Sequence, residues 1–377
     1  MLLTEIQEAV RDTVRDFAQA EIKPRTFAFE EAKAFPPALF EQLAGMGLMG
    51  MIAPEEAGGS GADYVSYALA LMEIAAADGA LSTILSIQNS LIISGLLKDG
   101  SAAQRARYLP ELISGRMIGA FALTEADAGS DASAIRTRAT RAEGGWILSG
   151  SKQFITSGGI AGVVMVVAVT DPDAGKKGIS AFLVPTNAKG YRVDKVEHKL
   201  GQAASDTCAI RFEECFIPDD ALLGMEGRGY SIALSNLEAG RIGIAAQCVG
   251  MAQAALEIAV DYAKDRRSFG QPIIEHQAVG FRLADLAARL EAARQLTLHA
   301  ASLKDGGIPC LKEASMAKLV ASETAESVVS GAIQTLGGYG YLEEFGVAKI
   351  YRDVRVCQIY EGTSDIQRMV IARALTA

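Results

Sequence analysis

Apolar residues recur with a helical period in the first third and the last third of the chain. Two stretches carry a clear stripe at this spacing: Ile6, Val10, Val14 and Phe17, and Leu283, Leu286, Leu290 and Ala293. A side chain every three or four residues falls on one face of an α-helix, so these patterns predict amphipathic helices. The first 119 residues and the stretch from about residue 226 onward therefore read as helical.

From about residue 120 to residue 225 the pattern changes to short β-branched runs separated by turn residues. The runs are WILSGSKQFIT, VVMVVAV, ISAFLVP and CAIRF. No helical stretch lies between them, so strand–helix–strand units are not expected, and an antiparallel sheet or barrel is favoured. We predict a mainly α-helical α+β protein with a helical domain at 1–119, a β domain at 120–225 and a helical bundle at 226–377.

Composition excludes several classes of protein. Of the 377 residues, 50% are hydrophobic and 21% are charged, which is enough apolar material for large cores and excludes a disordered chain. The formal charge of −9 argues against a nucleic-acid binder. The longest nearly uninterrupted apolar run, 160–169, is shorter than the roughly 20 residues of a membrane span, so we expect a buried strand there and no membrane partner. Acidic residues among the first 22 argue against a signal or transit peptide.

Metal, disulfide and dinucleotide signatures are missing from the sequence. The five cysteines form no C-x-x-C pair and the three histidines lie far apart, so we expect no metal site, no disulfide framework and a reducing compartment. No nucleophile elbow accompanies a histidine, which argues against a Ser–His–Asp triad. The GGYG stretch at 337–340 follows an apparent helix and not a strand, so by itself it favours a helix C-cap over a phosphate cradle.

Two segments allow both a structural and a chemical interpretation. The charges of KDRRSFGQPIIEHQ at 264–277 fit a solvated turn, yet two arginines, Ser268, a Phe269 expected to be buried, and Gln277 also suit a diphosphate beside an aromatic base. In QIYEGTSDIQR, desolvation would raise the pKa of Glu361, as a general base requires. The residues that follow Glu361 equally resemble the cap of a helix N-terminus. These residues alone leave both interpretations open.

Six motifs, in this order and spacing, make the chain resemble the acyl-CoA dehydrogenase family along nearly its whole length. They are FALTEADAGSD (121–131), KQFITSGG (152–159), LEAGRIGIAAQ (237–247), RRSFGQPIIEHQ (266–277), QTLGGYGY (334–341) and IYEGTSDIQR (359–368). The resemblance implies a helical N-terminal domain, a middle β domain and a C-terminal four-helix bundle. This arrangement agrees with the three zones read from periodicity.

The resemblance also implies FAD as cofactor and assigns residues to it. The ring would be lined by segments of the middle domain, which are Phe121, Leu123, Thr124, Gly129, Ser130, Phe154, Ile155 and Thr156. Many relatives carry Trp in place of Phe154. The diphosphate and adenine, in part those of a neighbouring subunit, would contact Arg266, Ser268, Phe269, Gln277, Gln334, Gly337 and Gly338. Thr363 and Asp365 match further FAD contacts, and relatives often differ from Asp365.

Glu361 matches the catalytic base used by most of the family. A minority carry the base one residue before the bundle arginine, which here is Gly240 and cannot serve. The resemblance places the substrate against Ser130, Glu238, Arg241, Tyr360 and Gly362. Glu238 and Arg241 would lie toward its CoA end.

The implied reaction is the FAD-dependent dehydrogenation of an acyl-CoA to the trans-2-enoyl-CoA. The segments at 87–97, 237–247 and 312–323 look most like those of short-chain and short branched-chain members, so we expect four to six carbons, with a 2-methyl branch as an option, and residues 87–97 as the pocket floor. Electrons would pass to an electron-transfer flavoprotein. A homotetramer is implied, in the bacterial cytoplasm or, for a processed eukaryotic chain, the mitochondrial matrix. The alternatives are an acyl-CoA oxidase, a DNA-associated relative and a catalytically silent paralogue.

Overall fold

Residues 1–376, which the computed structural model describes, begin with a series of α-helices. They are α1 (Glu5–Phe17), α2 (Thr26–Ala32), α3 (Pro37–Gly45), α4 (Tyr64–Ala77), α5 (Gly79–Ser86), α6 (Ser94–Asp99) and α7 (Ala102–Ile113). Side chains that cap backbone N–H groups set several starts. Thr4 and Gln7 form a capping box on α1, and Asp63 accepts a hydrogen bond from the backbone N–H of Ser66 at 2.6 Å at the start of α4.

Helices α4 and α5 form the centre of this N-terminal part. Residues 65–75 of α4 and all of α5 are buried, so these helices are apolar around most of their circumference and not along one stripe. Asp78 separates them in an extended conformation and caps α5. A π-helical turn, Ile87–Ile93, then joins α5 to α6. The segment at 87–97, which we predicted to form the floor of the substrate pocket, therefore lies in the interior.

The middle part of the chain is a β domain. Its strands are β1 (Gly119–Ala122), β2 (Arg138–Ala142), β3 (Gly145–Thr156), β4 (Val163–Val169), β5 (Ile179–Pro185), β6 (Tyr191–Val196), β7 (Thr207–Pro218) and β8 (Leu222–Leu223). They pair in the order β6-β7-β3-β2-β4-β5-β8, with β1 beside β4. The sheet is mainly antiparallel as predicted, but β1 runs parallel to β4, and a single bridge between β2 and β4 is also parallel. Short turn signals could not reveal these two pairings, because they join strands distant in sequence.

The C-terminal part is helical again. It comprises α8 (Gly229–Asp265), α9 (Gln277–Asp305), α10 (Leu311–Leu336), α11 (Val347–Val354) and α12 (Ser364–Leu375), with a small hairpin of β9 (Arg267–Ser268) and β10 (Gln271–Pro272) between α8 and α9. The long helix α8 packs against α4, α9 and α10, and α12 packs on α10. One hydrophobic core runs through the N-terminal helices and this bundle, and the β domain has its own.

Of the two predicted helical stripes, one is buried throughout and the other only in part. Leu283, Leu286, Leu290 and Ala293 are all buried along α9. On α1, Val14 is buried, whereas Ile6 is 74% exposed. The first turn of α1 thus extends beyond the core, and the spacing of apolar residues alone did not show where burial ends.

Two helical stretches match a membrane span in length and apolar composition, contrary to the expectation drawn from the longest apolar run. They are Gly79–Asp99 and Gly229–Asp265. In each, 83% of the apolar window is buried inside the protein. Their composition is accounted for by burial between other elements, since helices at the centre of a core are apolar on every side.

Candidate active site

Two segments of the β domain meet at one side of the candidate site. The FALT segment (121–124) covers the end of β1 and the residues after it, and the FIT segment (154–156) ends β3. The backbone N–H of Gln153 donates to the carbonyl of Thr124 at 2.9 Å, so the segments that were predicted to line a flavin ring lie side by side. Phe154 is 62% exposed and has a φ of 59°, a left-handed conformation that is unfavourable for a bulky residue.

A buried ion pair fixes these two segments to each other. The Lys152 ammonium donates to the carbonyl of Leu123 at 2.9 Å and to the carboxylate of Glu125 at 2.8 Å. Glu125 also accepts the backbone N–H groups of Arg136 at 2.6 Å and Thr137 at 2.9 Å. Burial lowers the pKa of Lys152 to about 8, and Glu125 opposes that shift. Because every charge here has a partner, the loop from 123 to 137 is held in one conformation.

The Glu361 carboxylate is buried without a hydrogen-bond partner. Its Oε2 atom has no donor within reach, and the backbone at Glu361 has a φ of 52°, again in the left-handed region. A Cβ atom added at Gly240 would lie 2.0 Å from this Oε2. The carboxylate therefore occupies the space that the missing side chain of Gly240 leaves on α8. A buried oxygen without a donor and a strained backbone are typical of a residue that takes part in function. They are unusual for a residue that only supports the fold.

The surroundings of Glu361 favour its neutral form near neutral pH. Burial raises the pKa of Glu361 to about 7, and the cations of Lys318 and Arg241 only partly oppose this. Lys318 donates to the carbonyl of Gly362 at 2.8 Å, and Arg241 donates to the hydroxyl of Ser315 at 3.3 Å. The Nε atom of Arg241 is buried without a partner. A carboxyl group with a pKa near 7 has the balance that a general base needs.

The capping interpretation and the base interpretation of this segment apply to different residues. The Thr363 hydroxyl accepts the backbone N–H of Ile366 at 3.3 Å and caps α12. Glu361 precedes that cap, and its carboxylate takes no part in it. Gln367 instead donates to the carbonyls of Glu361 and Gly362, at 3.3 and 2.8 Å. The carboxylate is thus free for chemistry while the backbone around it is fixed.

Glu238 is engaged elsewhere. Its Oε1 atom accepts a hydrogen bond from Lys304 at 3.1 Å and lies 3.8 Å from the Cys310 sulfur. It therefore belongs to an ion pair between α8 and the end of α9. Burial lowers the pKa of Arg241 overall, and the negative charges of Glu361 and Glu238 oppose that shift.

The hydroxyl group of Tyr360 contacts a group of buried polar side chains. It donates to the side-chain carbonyl of Gln247 at 3.0 Å and lies 3.4 Å from each of Thr83, Gln202 and Cys357. Tyr360 thus connects the segment of Glu361 to the other domains.

A cavity of about 210 Å³ opens between the FIT segment and the Glu361 segment. Thr156 lines one side, and Val356, Ile359 and Tyr360 line the other, with Leu200 at a third side. Apolar walls with a few polar atoms suit the aromatic ring of a flavin. The residues present therefore fit the ring end of FAD.

A second, open cavity of about 420 Å³ lies at the far end of α10. Its lining includes Arg266, Ser268, Gly337 and Gly338, together with Tyr339. Cβ atoms added at Gly337 or Gly338 would meet nothing within 4 Å, and the φ of Gly337 is 63° where it ends α10. GGYG is thus a helix C-cap that also lines a cavity. An arginine, a hydroxyl and open backbone suit a diphosphate, so this end fits the rest of FAD.

The two cavities share no lining residue, so the described chain does not bring all its predicted cofactor residues together. Phe269 was expected to be buried and is 95% exposed at the turn of the β9–β10 hairpin, where its ring contacts only the edge of His276 at a centroid distance of 6.0 Å. The other predicted cofactor contacts with high exposure are Gly129, Ser130, Phe154, Arg266, Gln277, Gln334, Gly337, Gly338 and Asp365. Exposed residues of this kind, on a turn and on helix ends, are available to a second molecule.

Several polar residues that shape the site were missed by the sequence analysis. They are Thr83, Lys152, Gln202, Gln247, Lys318 and Gln367. All six are buried, and the partners of all but Gln367 include residues far away in sequence. A lysine within an apolar strand or helix pattern, as at positions 152 and 318, was a usable signal, since lysine is almost never fully buried unless it is paired.

A carboxylate with a buried, unpartnered oxygen follows a residue that lines a cavity suited to the flavin ring, and a separate cavity suits a diphosphate. In a helical–β–helical chain, this combination indicates a flavin-dependent oxidoreductase. The profiles of the acyl-CoA dehydrogenase N-terminal, middle and C-terminal domains match residues 4–116, 120–215 and 227–376. The chain belongs to the acyl-CoA dehydrogenase family, as the motifs had indicated, and is an FAD-dependent enzyme.

Individual relatives cover nearly the whole chain. The human mitochondrial short-chain specific acyl-CoA dehydrogenase is 47% identical over 371 residues, which are 98% of this chain and 90% of the human protein. The structure of butyryl-CoA dehydrogenase from Megasphaera elsdenii has a TM-score of 0.97 and 40% identity, with full coverage of both chains. A chain from a structure of the electron transferring flavoprotein of Acidaminococcus fermentans has a TM-score of 0.97 and 41% identity, and 100% of this chain and 99% of that chain align.

Proposed function

We propose that this enzyme oxidises a short-chain acyl-CoA to the trans-2-enoyl-CoA, with Glu361 as the base. The observation that carries the proposal is the buried, unpartnered Oε2 atom of Glu361, the residue that follows Tyr360 in the wall of the cavity. When bound, FAD supplies the acceptor for the hydrogen and electron pair that leave the β-carbon. The chain itself supplies the base, the geometry and an environment that excludes water.

Glu361 removes the proton from the α-carbon of the thioester. Its Oε2 atom accepts that proton, and the neutral acid formed is stable because burial disfavours the charged form. By family analogy, the backbone N–H of Glu361 donates to the thioester carbonyl and stabilises the negative charge that develops there. The positive charges of Arg241 and Lys318 favour the ionised carboxylate and so partly oppose the effect of burial on the pKa of Glu361.

A short acyl chain is supported by the packing behind Glu361. A Cβ atom added at Gly243 would lie 2.4 Å from the Ser86 hydroxyl and 3.1 Å from the Tyr67 hydroxyl. Residues 87–93 are buried behind these side chains, so little room remains for a long chain. The short-chain and butyryl-CoA names of the relatives support the same size.

An anaerobic panel of acyl-CoAs tests the substrate class. We expect butyryl-CoA and hexanoyl-CoA to reduce the flavin rapidly, and octanoyl-CoA to reduce it slowly. 2-Methylbutyryl-CoA in the same panel decides whether a branched chain is accepted, and hence whether the enzyme serves branched-chain amino acid catabolism or straight-chain fatty acid metabolism. Faster reduction by octanoyl-CoA than by butyryl-CoA would contradict the short-chain proposal.

We propose a homotetramer, arranged as a dimer of dimers, in which each FAD site is completed by a neighbour. The separation of the two cavities and the exposure of Phe269 support this, because one chain offers the parts of a cofactor site at two separate places. Light scattering of the FAD-loaded enzyme is expected to give four times the mass of one chain. An active, flavin-loaded monomer would contradict the arrangement.

The electron acceptor we propose is an electron-transfer flavoprotein. The structural relative described with such a protein supports this choice of acceptor. We place the enzyme in the bacterial cytoplasm or the mitochondrial matrix, without a membrane partner. After reduction by substrate, mixing with electron-transfer flavoprotein is expected to reoxidise the flavin quickly, and air-saturated buffer slowly. Rapid reoxidation in air with stoichiometric peroxide would instead indicate an oxidase.

A further inference from the structure

The loop between β6 and β7 inserts into the segment that carries Glu361. A Cβ atom added at Gly201 would lie 2.3 Å from the backbone carbonyl of Arg352, so the two backbones are in direct contact. This contact places the next residue, Gln202, inside the C-terminal part of the protein, where it is 3% exposed. Gln202 has a φ of 51°, a conformation that a non-glycine residue keeps only where its surroundings enforce it.

Every N–H group of Gln202 has an acceptor in this position. Its backbone N–H donates to the carboxylate of Asp353, and its side-chain amide donates to the carbonyl of the same residue at 3.1 Å. The same amide nitrogen lies 3.4 Å from the Tyr360 hydroxyl, and the Thr83 hydroxyl donates to its Oε1 at 2.8 Å. One residue of the middle domain therefore contacts both an N-terminal helix and the base segment.

These contacts close a ring of three buried side chains and the half-buried Tyr360. Gln247 donates to the Thr83 hydroxyl at 2.7 Å, Thr83 donates to Gln202, Gln202 donates to Tyr360, and Tyr360 donates back to Gln247 at 3.0 Å. Each group donates in the same sense around the ring, so the bonds reinforce one another. The ring joins α5, the β6–β7 loop, α8 and the residue directly before Glu361.

Asp353, which accepts hydrogen bonds from Gln202, is itself held by a buried ion pair. Lys349 donates to the carboxylate of Asp353 at 2.6 Å and to that of Asp78 at 3.3 Å. Burial opposes a charge on Lys349, but the two carboxylates raise its pKa overall. The triad is buried, so its partners cannot separate without leaving an unpaired charge in the interior.

We propose that Gln202 is a positioning residue, which holds the backbone at Tyr360 through this ring and so aims the Glu361 carboxylate at the substrate. The proposal rests on the function proposed above. On the far side of Glu361, Lys318 and Gln367 fix the carbonyl of Gly362. The ring fixes the near side, and the strained backbone of Glu361 lies between the two. Loss of either side would let that backbone relax.

The test compares Gln202→Met, Tyr360→Phe and the double variant in the FAD-loaded enzyme with butyryl-CoA. Methionine has the length of glutamine and no hydrogen bonds. We expect each single variant to lower kcat by about 10- to 100-fold, because a displacement of about 1 Å in a reacting group has that effect. The double variant is expected to lose no more than the larger single loss, because both residues act through one ring.

The pH profile of kcat/KM gives a readout that general destabilisation would not move. The charged groups that face Glu361 are Arg241 on α8 and Lys318 on α10, and Tyr67 on α4 stays neutral because burial raises its pKa. The Gln202→Met variant keeps Arg241, Lys318 and Tyr67. If the carboxylate gains contact with water, its pKa falls from about 7 toward its ordinary value, and the rate reaches its plateau at lower pH.

Gln104→Met is the matched control. Gln104 is also buried, and it also links an N-terminal helix to the β domain, by donating to the carbonyls of Asp220 and Leu222 at 2.7 and 2.9 Å. We expect it to lower the melting temperature without changing kcat or the pH profile. If Gln202→Met does not fold, Thr83→Val breaks the same ring and is expected to show the same kinetic changes.

A folded, FAD-loaded Gln202→Met or Thr83→Val with wild-type kcat and pH profile would overturn the proposal. An equal loss of kcat in Gln104→Met would overturn it as well, since the effect would then reflect stability alone. Failure of the proposed function has a different signature, in which the wild-type enzyme itself is not reduced by butyryl-CoA.

Discussion

Replacement of Glu361 by glutamine is expected to lower turnover by about 10²- to 10⁴-fold while FAD binding is retained. Glutamine has nearly the shape of glutamate but cannot accept the α-proton. It also removes a buried carboxylate whose Oε2 atom has no partner, so the fold does not lose a hydrogen bond there. The flavin absorbance of the variant is expected to match wild type, and anaerobic mixing with butyryl-CoA is expected to bleach it very slowly.

The matched control for this experiment is Glu257→Gln, on α8. Glu257 is exposed and hydrogen-bonds only with the neighbouring side chain of Gln253, at 2.6 Å. It is expected to keep wild-type turnover. Substantial turnover in Glu361→Gln would contradict the assignment and make Glu238 the next candidate for the base.

The same assignment predicts how the wild-type rate depends on pH. Because burial raises the pKa of Glu361 to about 7, the free enzyme holds it mostly protonated below that pH and ionised above it. Only the ionised form accepts a proton, so kcat/KM is expected to rise with pH through about 7. The same rise is expected to vanish from the residual rate of Glu361→Gln.

Gly240→Ala is expected to lower kcat by about 10²-fold, the second largest effect we predict. The added Cβ atom would lie 2.0 Å from Oε2 and 2.9 Å from Cδ of Glu361, so the carboxyl group must move by about 1 Å or more to restore ordinary contact. The helix itself does not oppose the change, since alanine within a helix is more favourable than glycine by roughly 0.5–1 kcal/mol. Stability and FAD content are therefore expected to change little.

Gly45→Ala provides the comparison for a glycine-to-alanine change within a helix. A Cβ atom at Gly45, on α3, would meet nothing within 4 Å, so no loss of turnover is expected. Wild-type kcat in Gly240→Ala would show that the carboxyl group can react from a shifted position. In that case the close contact with Gly240 would have no part in aiming the base.

Much of the architecture could be predicted from the sequence because it follows from local periodicity. The stripe at 283–293 is buried on α9 as its spacing indicated, and the β-branched runs became strands. Parallel pairing of β1 with β4 could not be predicted, because the pairing residues lie more than 40 positions apart, as for Gly119 and Val163. Periodicity indicated the three zones, and the family resemblance supplied the cofactor, which periodicity could not.

The same distinction between local pattern and long-range contact holds for the candidate site. Glu361 was recognised from its apolar neighbours and the glycine after it, and the resemblance gave it a role that residue patterns alone left open. Its left-handed backbone, the space left by Gly240 and the ring through Gln202 could not be predicted. These features arise from contacts between elements far apart in sequence, and glutamine, threonine and glycine carry no local sign of such contacts.

The most direct test of the central claim is a single-turnover experiment with the FAD-loaded enzyme and butyryl-CoA in the absence of oxygen. We expect the flavin to bleach and one molecule of trans-2-enoyl-CoA to form for each flavin reduced, with Glu361→Gln failing on both counts. Flavin-loaded wild-type enzyme that is not bleached by butyryl-CoA or any other short acyl-CoA, or that bleaches without forming the enoyl product, would contradict the account.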